Sequence, residues 1–418
     1  MEKPLVSVLM GVQNLERFVG EAIESVLAQT YENFEFIILD DGSTDKTPEI
    51  IAEYAKRDKR IQPYYFKEKQ GISIGCNFTI EKAIGKYIAR IDGDDCWHFN
   101  KLEKQIFYLE KHPECGACFT WVKIIDENGY ELTSAESENR GEIFNSKNRS
   151  RAEWIRTLFY EGCRMAHPSS VIRKDVFSLT GMYNVSYRQL LDYDLWIRIL
   201  KITQIHMLEE ILMNYRWSGK NVSSSSDVVM FRTYFEMLLI LKQYFKGMTN
   251  EFFIEAFSAF FKKKLASSEL ELMCEKAFLL LDYRFYHDIG KIAALEVLSE
   301  LVNNKEAYRV LRDQYDFDVF SFHRIQSEPV FYYSSLEKWP LPFSEHVSFF
   351  ENKLKVLKNE NNTLNEKLVE SEKRVAYFSS ELMLAQQYIK DTAPELEYFR
   401  KSMIYRLYKR STKKKSED

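Results

Sequence analysis

The stretch Lys86-Tyr87-Ile88-Ala89-Arg90-Ile91-Asp92-Gly93-Asp94-Asp95 decides how this chain is read. An apolar-rich run ends in a cluster of acids, the pattern of a strand that carries carboxylates to its C-terminal tip. In open α/β sheets that edge is where ligands bind. Two acids one residue apart can share a hard divalent cation, and such a cation can bridge the phosphates of a nucleotide. Acidic turns are common, so an Asp-x-Asp needs support from its neighbours.

Upstream, strand and helix alternate. Leu5–Val12 reads as a strand, and Glu16–Gln29 as an amphipathic helix with Phe18, Val19, Ala22, Ile23, Val26 and Leu27 on one face. Phe34–Leu39 is a second strand, ending in Asp40-Asp41-Gly42-Ser43-Thr44-Asp45. Thr47–Lys56 reads as a helix, Ile61–Phe66 as a strand, and Ser73–Ile84 as the helix feeding the Tyr87–Asp92 strand. This βαβαβαβ order implies an α/β fold, a mostly parallel sheet covered by helices. Two acid-bearing tips then converge on one edge. The helix after Gly71 presents its N-terminus nearby, with unpaired N–H groups and a positive dipole for an anion. Gly71-x-x-x-Gly75 lacks the Gly-Lys-Ser/Thr continuation of a P-loop.

Downstream the pattern changes. From about Val228 to Phe331 it is helical and rich in Phe, Tyr and Leu. The run Val228 to Phe245 is apolar enough to suggest membrane contact, but Arg232, Glu236 and Lys242 interrupt it, which favours a buried core helix. After Trp339-Pro340-Leu341-Pro342 comes a heptad run. Position a holds Val347, Leu354, Asn361, Leu368, Val375, Leu382 and Ile389, and Pro394 ends it. This pattern predicts a coiled coil, with Asn361 setting the register of a homodimer. In the tail, Leu396, Phe399, Met403, Ile404 and Leu407 recur at helical spacing among Arg and Lys residues, which suggests an interfacial helix on an anionic membrane surface. The expected domains are 1–225, a helical 226–340, a coiled coil over 345–392 and a basic amphipathic tail over 393–418.

With 418 residues, 45% hydrophobic and 29% charged, the chain has the composition of an ordinary globular protein of two to three domains. A net charge of −4 gives no global attraction to nucleic acid, and none is expected as a partner. No run reaches the roughly eighteen apolar residues of a membrane span, and the start, Met-Glu-Lys-Pro, lacks a signal peptide's apolar core. The six scattered cysteines do not form a disulfide framework. Cys115-Gly-Ala-Cys118 has metal-ligand spacing without a second pair, so it reads instead as the opening of a strand. A cytoplasmic location follows, with the tail placing the chain peripherally on the inner face of the cytoplasmic membrane.

Over residues 4–225 the chain resembles the family 2 inverting glycosyltransferases of the GT-A fold, a Rossmann-like sheet. The resemblance rests on an ordered series: Val6-Ser7-Val8, Gln29-Thr30-Tyr31, Asp40 to Asp45, Gly85-Lys86-Tyr87-Ile88, Asp92-Gly93-Asp94-Asp95, His167-Pro168-Ser169, Leu191-Asp192-Tyr193-Asp194-Leu195-Trp196-Ile197-Arg198 and Tyr215-Arg216. It implies a nucleotide-sugar donor and a hexosyl- or hexosaminyltransferase acting on a glycan or lipid-linked acceptor, in bacterial surface polysaccharide assembly. By the resemblance, Gly11, Val12, Asn14, Asp41, Gly71, Asp92 and Gly93 line the donor pocket. Asp94, with Asp92, holds Mn²⁺ or Mg²⁺, and Asp192 deprotonates the acceptor hydroxyl. The chemistry agrees: a metal ion neutralises the departing diphosphate, and a carboxylate on the far face of the sugar takes the acceptor proton. One displacement inverts the anomeric centre.

Blander roles are open beside these. Asp40, Asp41 and Asp45 could cap the turn and the helix at Thr47, the choice leaning to capping for Asp45 and to donor binding for Asp41. Asp194 reads as structural, His167 as either an acceptor contact or a satisfied core residue, and Arg216 as either a pyrophosphate clamp or the partner of an acid. Three departures stand out: Gln13 where many members carry an aromatic, Cys76 where an Arg usually precedes Asn77, and Leu191 where a Glu often precedes the catalytic acid. Two other readings compete. A nucleotidyltransferase would usually carry a glycine-rich loop with a basic residue after the first strand, which Gly11-Val12-Gln13-Asn14 does not supply. A non-catalytic coiled-coil scaffold would be expected to lose its metal-site acids, and they are all present.

Overall fold

The computed structural model describes residues 5–132, 141–218, 227–283 and 287–328. The heptad segment and the basic tail lie outside the described residues.

The apolar, β-branched runs at the start form adjacent strands. β1 (Val6–Val12) sits between β2 (Phe34–Asp40) and β4 (Tyr87–Asp92), with β3 (Ile61–Tyr65) outside β2, all parallel. Every residue of β2 is buried, as expected of a strand covered on both faces. Val6, Val8 and Met10 share one core with Ala22, Ile23 and Val26 of α1 (Val19–Leu27). That helix begins three residues later than its periodicity predicts. The main-chain amides of Leu15 and Glu16 are already taken by Thr47 Oγ1 and Asp45 Oδ2, at 2.8 and 3.1 Å, so the chain turns before the helix starts. α2 (Thr47–Arg57) and α3 (Ile72–Lys82) complete the parallel half.

The other half of the sheet is mixed, which strand and helix alternation in the first third did not foretell. β7 (Val171–Arg173) runs antiparallel to β4 and to β6 (Cys115–Ile125), β8 (Gln204–Arg216) runs parallel to β6, and the two-residue β5 (Cys96–Trp97) pairs antiparallel with β8. The order is β3-β2-β1-β4-β7-β6-β8-β5. Between these strands lie α4 (Lys101–Lys111), α5 (Arg151–Glu161), α6 (Val176–Thr180) and α7 (Leu191–Ile202). Cys115 and Cys118 are buried free thiols inside β6. Among the described residues no group of three or more His, Cys, Asp or Glu side chains is assembled to hold a metal by itself.

Among the described residues six α-helices follow: α8 (Asp227–Gln243), α9 (Asn250–Phe257), α10 (Glu269–Leu281), α11 (His287–Asn303), α12 (Lys305–Tyr315) and α13 (Val319–Ser327). Ser268 and Glu271 form a capping box at the start of α10. Cys274, Phe278, Leu298, Leu301 and Leu311 make a second core. These helices also dock on the sheet domain. Tyr244 donates to the Ile155 carbonyl at 2.6 Å, Arg156 to that of Ala256 at 2.9 Å, and Lys201 to those of Gln243 and Lys246 at 2.9 Å. Sheet and helices form one compact unit. Among the described residues no helix is long and apolar enough to cross a membrane.

Candidate active site

Strand register builds the edge. Gly11 pairs with Leu39 on one side and Asp92 on the other, and Val12 pairs with Asp40. The tip of β1 therefore lies between two acid-bearing tips. A Cβ added at Gly11 or at Gly71 would meet nothing within 4 Å, so both main chains border open space. Gly93 is the opposite case: a Cβ there would come within 2.3 Å of Val12 Cγ1, so only glycine lets the acidic turn close on β1.

On the β2 side, both oxygens of Asp41 accept main-chain amides, from Gln70 at 2.7 Å and Gly71 at 2.9 Å. Asp41 thus fastens the segment leading to α3, where Gly71 has φ +102°, instead of capping α2. Asp45, one residue before the N-cap, satisfies the first amide of α2 by accepting from Thr47 at 3.0 Å. Asn14, with φ +52°, accepts from the Thr44 amide at 2.8 Å and tethers the β1 tip to the same turn. Gln13 pairs with Lys69 across the mouth, where an aromatic would offer a stacking face.

On the β4 side, Asp92 accepts from Arg90 Nη2 at 2.8 Å. Asp94 is half-buried, and burial together with the Asp92 charge pushes its carboxyl up to about 6. Asp95 is buried, with Oδ2 lacking a hydrogen-bond partner and its carboxyl held well above the usual range by burial and by Asp94. Closely spaced, poorly neutralised carboxylates fit a divalent cation. With fewer than three protein ligands assembled, the remaining ligands would come from a bound diphosphate, as is usual for Mg²⁺ sites.

Arg216 is not a diphosphate clamp. It is 1% exposed and bonds Glu21 at 2.6 Å, the Asp94 carbonyl at 2.7 Å and the Asp126 carbonyl at 2.9 Å.

Asp192 stands in the first turn of α7, where the helix dipole favours its ionised form. Its Oδ1 accepts from the Tyr193 amide at 2.8 Å. Burial outweighs this and pushes the carboxyl up to about 6, with Asp92 adding repulsion. Asp194 is structural, paired with Arg198 at 2.7 Å. His167 Nε2 lies 2.7 Å from the Tyr183 hydroxyl, and burial and the Arg90 charge hold its imidazole well below its ordinary value.

Sequence reasoning missed three residues. Arg90 lies two positions before Asp92, on the same strand face, and also reaches Cys76 Sγ at 2.9 Å. A charge inside a buried strand was the available signal. It supplies a guanidinium beside the position where the expected Arg is replaced by Cys76. Glu21 neutralises Arg216, and nothing local marked it. Glu236 of α8 accepts the amides of Arg188, Gln189 and Leu190, each at 2.8 Å, and so fixes the entry to α7. It had read only as an interruption of an apolar run.

An acidic edge of this kind, on a parallel half-sheet joined to a mixed half, is that of a GT-A-type α/β transferase. The sequence pattern of the Glycosyl transferase family 2 matches residues 7–176. An uncharacterized glycosyltransferase of Methanocaldococcus jannaschii is 35% identical over 221 residues, 52% of this chain and 72% of that protein. The chain belongs to this family and is a glycosyltransferase. The Bacillus subtilis protein named "Putative teichuronic acid biosynthesis glycosyltransferase TuaG" is 29% identical, covering 59% of this chain and 92% of its own length. Among solved structures, S. aureus TarS 1-349 in complex with UDP-GlcNAc has a TM-score of 0.49 at 16% identity, covering 74% of this chain and 91% of that one.

Proposed function

We propose that this glycosyltransferase moves a sugar from a nucleotide-diphosphate donor to a hydroxyl of a glycan or lipid-linked glycan, with inversion, in the assembly of a bacterial surface polysaccharide. The observation that carries the reading is the β1 tip flanked by the acid-bearing tips of β2 and β4, with Asp41 on one side and Asp92 on the other. The resemblance to TuaG, whose name refers to teichuronic acid biosynthesis, supports the acceptor class.

In this reading Gly11, Val12 and Asn14 border the nucleoside, and Asp41 holds the wall formed by Gly71 against it. Gly93 keeps the acidic turn tight. Asp92 and Asp94 would hold the divalent cation, Mn²⁺ or Mg²⁺, which supplies neutralising charge to the leaving diphosphate. Arg90 orients Asp92 by a charge-assisted hydrogen bond. Asp192 takes the acceptor proton as the acceptor oxygen attacks the anomeric carbon, and the nucleotide leaves from the opposite face. A carboxyl raised to about 6 is ionised at neutral pH yet basic enough to accept that proton.

A screen of UDP-, GDP- and dTDP-sugars with Mn²⁺, read as nucleotide release, tests the donor class. Release from none of them, with or without glycan acceptors, would overturn the reading. Retention of anomeric configuration in the product would overturn the single-displacement mechanism.

The heptad segment 347–389 as a homodimer stalk, and the tail 393–418 as an anchor on the inner face of the cytoplasmic membrane, belong to the same proposal and rest on sequence pattern. A monomer by light scattering at micromolar concentration would remove the stalk.

A further inference from the structure

Helix α7, which carries Asp192, has no side-chain cap of its own: its N-cap residue is Leu190. The cap comes from another helix. Glu236 of α8 is 4% exposed, and its carboxylate takes three successive main-chain amides. Oε1 accepts from Arg188, and Oε2 from Gln189 and Leu190, each at 2.8 Å. A buried carboxylate is costly inside an apolar helix unless its lone pairs are used. Here charge-assisted bonds use them. Core packing by itself would be served as well by an apolar residue.

The far end of α7 is held by the same helix. Lys201, in its last turn, donates to the carbonyl of Gln243, where α8 ends, and to that of Lys246 just beyond, both at 2.9 Å. The segment that leads into α7 is tied on its other side to α3. Asn77 exchanges two hydrogen bonds of 2.9 Å with the main chain of Tyr183, and the Ser73 hydroxyl donates to the Tyr187 carbonyl. Residues 183–190 therefore run from the helix that follows Gly71 to the Glu236 carboxylate, and Asp192 comes two residues later. The Asp192 side chain bonds within its own helix, at the Tyr193 amide, so it moves with that first turn.

We propose that Glu236 is a positioning residue for transfer: through the amides of residues 188–190 it sets where the first turn of α7 holds the Asp192 carboxylate. The helices after the sheet domain are then part of the catalytic apparatus. The inference rests on the proposed role of Asp192 as base. A displacement of about 1 Å at a reacting group costs up to about a hundredfold in rate. Glutamine has the shape of glutamate, but its amide would turn an N–H toward one of the three N–H groups.

The test places Glu236→Gln in the parent and in Asp192→Asn. Transfer is read as nucleotide release from whichever UDP-, GDP- or dTDP-sugar the parent turns over, and affinity by calorimetry of the matching nucleoside diphosphate with Mn²⁺. In the parent, kcat should fall about ten- to a hundredfold, with donor KM and nucleotide affinity unchanged. In Asp192→Asn the same substitution should cost less than about twofold, because it acts through a group already removed. Lys201→Met frees the far end of α7 and leaves Glu236 in place. Its kcat should fall about threefold under the same rule, and it carries the test if Glu236→Gln does not fold. An unchanged kcat, a matching loss of nucleotide affinity, or an equal cost in both backgrounds would overturn the inference alone. Parent turnover kept by Asp192→Asn, or release from no donor, would overturn the base assignment and this inference with it.

Discussion

The guanidinium of Arg216 donates to the main-chain carbonyl of Asp94 across 2.7 Å, while its main-chain amide donates to the Asp95 carboxylate at 2.8 Å. The end of β8 thereby holds the acidic turn that follows β4, and Glu21 neutralises the buried cation. The turn's shape depends on a planar fork of donors that lysine does not have. Arg216→Lys should weaken nucleotide binding about tenfold with Mn²⁺ present and much less without it. Calorimetry with and without the metal checks this, and equal loss in both conditions would show that Arg216 does not act through the turn.

Asp94 carries a carboxylate that burial and the Asp92 charge push up to about 6. Asp94→Ala should abolish transfer and weaken donor binding, because the diphosphate loses its counter-charge. In the parent protein the nucleotide should bind more tightly with Mn²⁺ than without. Identical isotherms would remove Asp94 from metal ligation.

Asp192→Asn keeps shape and removes the proton acceptor. Turnover should fall on the order of 10²–10⁴ with donor affinity nearly unchanged; a variant keeping more than about a tenth of the parent rate would exclude the role. Because the base works ionised and its carboxyl is raised to about 6, kcat of the parent should climb as pH rises through that value. The linked stability effect has the opposite sign. A carboxyl that holds its proton longer in the native state, from an ordinary 3.8 to about 6, loses stability across that window as pH rises. Asp192→Asn should therefore be more stable than the parent above pH 6, by ~1–3 kcal/mol, measured by urea unfolding at pH 5 and pH 8.

Lys101 is wholly buried in the first turn of α4, and its Nζ has no hydrogen-bond partner and lies 3.9 Å over the Trp97 ring. Burial pulls its amine down from 10.5 to about 7. Between those values the unfolded chain binds a proton that the native protein does not, so this group's contribution makes stability rise with pH. Lys101→Met keeps the stem and removes the buried amine. It should stabilise by ~1–3 kcal/mol, most at and below pH 7 and least near pH 10. Thermal melts across that range check the trend, and a loss of stability at pH 7 would mean that the ring contact outweighs the burial cost.

The sequence by itself determined the parallel half of this fold and the residues at its edge. Those features are local: period-2 apolar runs place strands, the runs end in Asp40-Asp41 and Asp92-Gly93-Asp94-Asp95, and parallel neighbours require helical crossovers between them. The structural roles of Asp45 and Asp194 were legible for the same reason, since Thr47 and Arg198 lie within one turn of them. Tertiary structure alone decided what depends on contact across the chain. Arg216 pairs with Glu21, 195 residues away, and so serves the acidic turn instead of a phosphate. Asp41 reaches the amides before α3 because β2 and the segment after β3 meet at one edge. Helix α8 buries Tyr234, Met237, Ile240 and Leu241, while Val228, Phe235 and Leu239 keep about half or more of their surface exposed. Helical periodicity shows that both faces are apolar, but only packing determines which one the core covers.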